Sequence, residues 1–168
     1  MFYSNALIDE LYDDDKQYPL GAETRDSDGR EYVFVKFNDG DGVVTCVKGM
    51  LLYGLDSAYP DFECTPDGNS ATIPAILNKP IGFAQVVFTD GKYGWAQRTG
   101  PNRQIVYTDG SITQGMILFG TTGDGTVSGH ANPGSATYTI VGTALEADNA
   151  SSQIPIGQAS LCVPRWKD

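Results

Sequence analysis

Hydrophobic and polar positions alternate along this chain in short runs. Residues 31–37 read Glu-Tyr-Val-Phe-Val-Lys-Phe, and residues 93–98 send Tyr93, Trp95 and Gln97 to one face and Gly94, Ala96 and Arg98 to the other, so that one face is bulky and the other nearly flat. Runs of Val, Ile, Phe, Tyr and Thr with this period suit a half-buried pleated surface. The same reading predicts further strands at 43–47, 81–89, 104–108, 116–120, 137–147 and 159–163. Between the runs lie seven Asp-Gly dipeptides, beginning at Asp28, Asp39, Asp41, Asp67, Asp90, Asp109 and Asp124. Asp followed by Gly tolerates the positive φ angles of tight hairpin turns. The clearest hairpin joins 83–88 to 93–97 through Thr89-Asp90-Gly91-Lys92. The pattern predicts an all-β fold, a compact antiparallel β-barrel or sandwich with short hairpins and an N-terminal arm.

Two segments depart from the pattern. Ser4 or Asn5 can cap a short helix in which Leu7, Ile8 and Leu11 recur at one-turn spacing ahead of Asp13-Asp14-Asp15. Residues 1–20 therefore read as an amphipathic arm, with Pro19 and Gly21 marking its exit, and residues 21–168 as one β domain. Phe2, Tyr3, Leu7, Ile8, Leu11 and Tyr12 crowd apolar surface into the arm, which packs either on its own core or on a neighbouring subunit. Residues 57–80 contain Pro60, Pro66, Pro74 and Pro80, too many prolines for a central strand, and are expected to form a surface excursion.

Length and charge narrow the function classes. A chain of 168 residues can bury one sizeable core. Its formal charge of -10 opposes the counterion release that holds proteins to phosphates, which argues against direct nucleic-acid binding. No apolar run exceeds four residues, whereas a membrane-spanning helix needs about 20. The opening residues lack the basic and apolar regions of a secretory signal, so synthesis in a cytoplasm is expected. Cys46, Cys64 and Cys162 are odd in number and widely spaced, fitting buried free thiols better than disulfides or a zinc site.

Candidate chemistry is sparse. His130, the only histidine, lies in the Gly-rich stretch 129–134, which reads as a loop unsuited to rigid acid–base catalysis. Nucleophile-elbow, phosphate-loop and His-Glu-x-x-His motifs are absent from the sequence. A glycosidase needs only two suitably spaced carboxylates, but most aspartates sit in Asp-Gly turns or the acidic run, where exposure leaves them ordinary. Asp26-Ser27-Asp28-Gly29 and Asp39-Gly40-Asp41-Gly42 alternate oxygen donors with glycine as calcium loops do, yet neither continues into a full EF-hand loop, and plain turns are expected. Tyr93, Trp95 and Tyr107 could form a sugar-binding platform, although sheet aromatics at this spacing serve more often as core or subunit contacts. The expectation is a binding protein and not an enzyme, with no cofactor.

The phrases Ile81-Gly82-Phe83-Ala84, Tyr93-Gly94-Trp95-Ala96-Gln97-Arg98-Thr99-Gly100, Val127-Ser128-Gly129 and Ile140-Val141-Gly142-Thr143-Ala144-Leu145-Glu146 resemble those of head decoration proteins of tailed bacteriophages. The resemblance covers roughly residues 81 to 150; the first 80 residues match no such pattern. It implies a cement protein on the exterior of the virion capsid, commonly a homotrimer, whose partners are the major capsid protein and its own copies. No active-site residue is implied. On this expectation Phe2, Tyr3, Leu7, Ile8, Leu11, Tyr12, Tyr93, Trp95 and Trp166 are the candidate capsid or subunit contacts. The alternative is a carbohydrate- or receptor-binding β module of a phage tail or fibre.

Overall fold

Strand β2 (Glu31–Phe37) is apolar on both faces. Val33, Val35 and Phe37 turn one way, Tyr32 and Phe34 the other, and all five are buried. Such a strand needs cover on both sides, and the chain is arranged to supply it. The computed structural model describes residues 6–15, 17–38, 45–55, 62–67, 80–100, 112–121, 124–130 and 140–144, with strand assignments at 105–106 and 153–154.

Along one edge β2 pairs antiparallel with β6 (Tyr93–Thr99), from Lys36↔Tyr93 to Glu31↔Thr99, with a bulge between Glu31 and Tyr32. Its other edge is divided. β1 (Glu23–Arg25) runs antiparallel to the first half, while β4 (Glu63–Thr65) runs parallel to the end through Lys36↔Glu63 and Phe37↔Cys64. β3 (Leu51–Gly54) joins β4 to β5 (Pro80–Ala84), and β5 returns to β6. The order β2-β4-β3-β5-β6 thus closes a five-stranded barrel.

The barrel interior is small-bore. Val33, Val35 and Phe37 meet Cys46, Leu52, Cys64, Ala84, Val86, Phe88 and Ala96. The flat face of β6 makes room for these rings: a Cβ on Gly94 would stand 2.8 Å from the Phe88 ring. Outside β3 and β5, Leu51, Tyr53 and Phe83 pack against Ile112, Leu118, Val127, Val141 and Ala144. Three of these come from a second antiparallel sheet, with β8 (Ile117–Gly120) between β9 (Val127–His130) and β10 (Ile140–Thr143). The Tyr53 hydroxyl donates to the Thr121 carbonyl at 3.3 Å, fixing this sheet to the barrel. β7 (Ile105–Val106) and β11 (Gln153–Ile154) form a two-stranded ribbon.

The all-β expectation is met, and the Thr89–Lys92 turn closes as expected, with Lys92 N–H donating to Thr89 O at 3.1 Å and Gly91 at φ 74°. Four details differ. The proline-rich stretch 57–80 supplies β4, a barrel strand, because the parallel pairing with β2 uses only the short interval between Pro60 and Pro66. That pairing also makes the sheet mixed. The strand expected at 81–89 ends at Ala84: Gln85 N–H still reaches Trp95 O, but Phe88 swings away to pair with Cys46, its apolar period serving the barrel core. His130 closes strand β9 opposite Ile117 and does not lie in a loop. The strand expected at 159–163 lies outside the described residues.

Gly82 marks the tightest approach of β5 to β6, where a Cβ would sit 2.7 Å from the backbone oxygen of Gln97. Backbone cannot yield as a side-chain tip can. Gly82→Ala should therefore lower unfolding free energy by about 1–3 kcal/mol in chemical denaturation; an unchanged midpoint would mean that the two strands are not this close.

Candidate functional site

The outward face of β2 and β6 carries Tyr32, Phe34 and Trp95, and the N-terminal arm lies across it. Tyr12 and Ala22 complete a buried cluster, with Ala6, Ile8, Tyr18, Leu20 and Tyr93 packed at its margin. The rings interlock: Tyr18 meets Trp95 edge-on at 5.0 Å, Tyr12 meets Phe34 edge-on at 5.5 Å, and Tyr93 stacks on Phe34 at 6.0 Å. Offset and edge-on contacts of this kind each contribute about 0.5–1.5 kcal/mol beyond the area they bury.

Backbone hydrogen bonds hold the arm in place. Tyr12 and Tyr93 exchange N–H to O bonds of 2.8 and 2.9 Å, Gly21 donates to Phe34 O, and Phe34 donates to Ala22 O. Asp13 pairs with Lys92 at 2.6 Å. The short helix expected in the arm does not form among the described residues. Pairing on the β6 edge requires extended backbone at Tyr12, which overrides the modest helical preference of the segment. A single turn remains, closed by Glu10 N–H to Leu7 O and by the Tyr12 hydroxyl donating to that same carbonyl.

This geometry separates the candidate contact residues. Of the residues expected to contact capsid or subunit, Tyr12 and Trp95 are placed in the chain's own core. Ile8 and Tyr93 are half-buried beside them, while Leu7 and Leu11 face solvent. Phe2, Tyr3 and Trp166 lie outside the described residues, as does Tyr107. A sugar platform built on Trp95 is ruled out by the arm above it. The indole Nε1 of Trp95 is buried under the arm near the Tyr12 hydroxyl, without a well-formed hydrogen bond among the described residues. Sequence reasoning missed Val87, which is exposed; with Val86 and Phe88 turned inward, the alternation in 83–88 carried that signal.

In the first calcium-like loop both carboxylate oxygens of Asp26 are occupied. Asp26 Oδ1 accepts from the Asp28 and Arg30 amides at 2.9 and 3.0 Å; Oδ2 accepts from Arg30 Nε at 2.6 Å and the Tyr32 hydroxyl at 2.8 Å. The Arg30 guanidinium stands where a cation would. Partial burial alone would raise the Asp26 pKa, but hydrogen bonds from Tyr32 and Arg30 outweigh it and hold the carboxyl below its ordinary value. Asp39 and the rest of the second loop lie outside the described residues. In the turn ahead of β9, partial desolvation and then the neighbouring Asp67 raise the Asp124 carboxyl above its ordinary value. Cys46 and Cys64 are buried free thiols, and desolvation pushes the Cys46 pKa up to about 12, away from reactive thiolate chemistry. Cys162 lies outside the described residues.

Two outcomes follow from these contacts. Asp26→Asn keeps an acceptor for the two amides but turns an NH2 group toward Arg30 and Tyr32, and should cost about 1.5–3 kcal/mol near neutral pH. Because the folded pKa of Asp26 is depressed, its contribution is present above the ordinary carboxyl pKa and is lost as pH falls through the folded value. The variant's stability should therefore depend less on pH in the acid range; parallel curves would exclude this role. Deleting residues 1–18 removes Tyr12 and Tyr18 and uncovers Phe34 and Trp95, and one fully buried large apolar side chain is worth about 1.5–3 kcal/mol. Calorimetry should show a melting temperature at least about 5 °C lower; an unchanged value would place the arm off the core. No family model matches the chain, and neither a curated protein nor a solved structure matches it.

Proposed function

We propose that this chain is a structural virion protein that binds the outer surface of an assembled phage capsid and stabilises it. The observation that carries the reading is where the decoration-protein phrases fall. Gly82, Phe83 and Ala84 lie on β5, Tyr93 to Thr99 on β6 and Ile140 to Thr143 on β10. Gly82 and Gly94 stand at close approaches and Trp95 in the core, so these phrases read as a β framework rather than a reaction centre.

The electrostatics agree with a docking role. Five of the six described Lys and Arg side chains, Arg25, Arg30, Lys36, Lys92 and Arg98, hold intramolecular carboxylates. With a formal charge of -10, the surface favours a partner with a basic face. Many weak contacts repeated over a lattice hold through avidity, and copies joined as a trimer strengthen this further.

The test is sedimentation of purified chain with undecorated shells of its own phage. Retention on the shells, raised shell resistance to heating and a trimer mass by light scattering are the expected results. A chain that is monomeric at tens of micromolar both free and on particles would remove the trimer. Binding to host cells or glycans, with none to shells, would replace the proposal by a receptor-binding module.

A further inference from the structure

A tight turn joins the arm to the barrel. Ala22 N–H donates to Pro19 O at 2.9 Å, closing residues 19–22 with Gly21 at φ 78°. Downstream of the turn the chain is pinned to its own barrel: Gly21 N–H donates to Phe34 O, Phe34 N–H donates to Ala22 O, and a Cβ on Gly21 would overlap the Phe62 ring. Upstream of the turn the attachment is of another kind. The ring β2-β4-β3-β5-β6 closes without the arm, which joins it by the isolated bridge Tyr12↔Tyr93.

The arm's other contacts are side chains laid on the barrel: Tyr12 on Phe34, Tyr18 on Trp95, and Asp13 with Lys92. Its internal turn, closed on Leu7 O by Glu10 N–H and the Tyr12 hydroxyl, moves with it. Lifting the arm therefore breaks the Ala22–Pro19 turn bond together with contacts that the same arm of a second copy remakes atom for atom. Exchange of an identical terminal element conserves its contacts and is a low-cost route to association. The short hinge favours it, because residues 19–22 double the arm back sharply in one chain but can run on extended between two.

We propose that the arm is exchanged between copies of this chain, the segment upstream of Pro19 in one copy covering Phe34 and Trp95 of the next while Gly21 and Ala22 stay on their own barrel. The aromatic shelf is then a subunit interface as well as part of a core. Passed in one direction round a ring, three arms leave no shelf uncovered. That the ring is the trimer of a capsid protein rests on the function proposed above; the exchange itself does not.

The experiment uses the full-length chain with Asp13→Cys and Lys92→Cys in a Cys162→Ser background. These positions face each other one step beyond the Tyr12↔Tyr93 bridge and carry an ion pair, so a disulfide formed with diamide records which barrel each arm lies on. Expected on non-reducing gels are covalently linked dimers and trimers whose share rises with protein concentration, since the arm of another copy competes with the tethered one. They should be lost when a short Gly-Ser insertion between Pro19 and Leu20 relaxes the hinge. The unmodified chain gives an independent reading: in 13C-labelled and unlabelled copies refolded together, isotope-filtered Overhauser contacts between Tyr18 and Trp95 should join labelled to unlabelled chains. Absence of those contacts, linked species as abundant in either single-cysteine variant, or links indifferent to the insertion would each overturn the proposal. Links confined to single chains would overturn it too, leaving the trimer standing if light scattering still shows one. Arm-exchanged chains that phage shells fail to retain would leave the exchange standing and remove the capsid reading.

Discussion

The structure depends on burying both faces of β2. Its inner face, Val33, Val35 and Phe37, is satisfied by closing the barrel, and its outer face, Tyr32 and Phe34, by the arm. Neither solution is available from the strand's immediate neighbours in sequence. The barrel closes through β4, which reaches β2 from the far side of β3, and the cover comes from residues upstream of β1. The divided edge of β2 follows from the same constraint: β1 occupies the first half, β4 the end, and the backbone groups of a strand buried on both sides all find partners.

Much of this was legible where the determinant is local. The Val, Phe and Tyr run in 31–37 and the alternation in 93–98 placed β2 and β6 within a residue of their ends, and the face read as nearly flat, Gly94 and Ala96, lines the tight interior. β4 was hidden because Glu63-Cys64-Thr65 is three residues long, lies between prolines and gains its strand character from Lys36 and Phe37, distant in sequence. The arm was recognised as apolar, but the spacing of Leu7, Ile8 and Leu11 imitates a helix turn, and only the edge of β6 dictates extended backbone there. Trp95 could be placed on the bulky face of its strand; that this face points into the molecule depends on Tyr12 and Tyr18 arriving from the arm. The acceptor role of Asp26 had a readable cue, an Asp two residues before Asp-Gly-Arg, which imitates a metal loop while Arg30 supplies the cation.

These features define a module whose interior is framework and whose chemistry is on its surface. The thiols are desolvated, Asp26 serves backbone amides and Arg30, and the described cations are largely held in pairs. The proposal built on this surface is that it docks on the outside of a capsid. If the chain is the phage decoration protein proposed above, imaging of native particles tests it most directly, by single-particle reconstruction with an arm-specific label. The account predicts density for the barrel and its second sheet on the outer head surface, with the arm turned toward the shell. Density confined to the tail tip or fibres, or particles that lack the chain altogether, would contradict it.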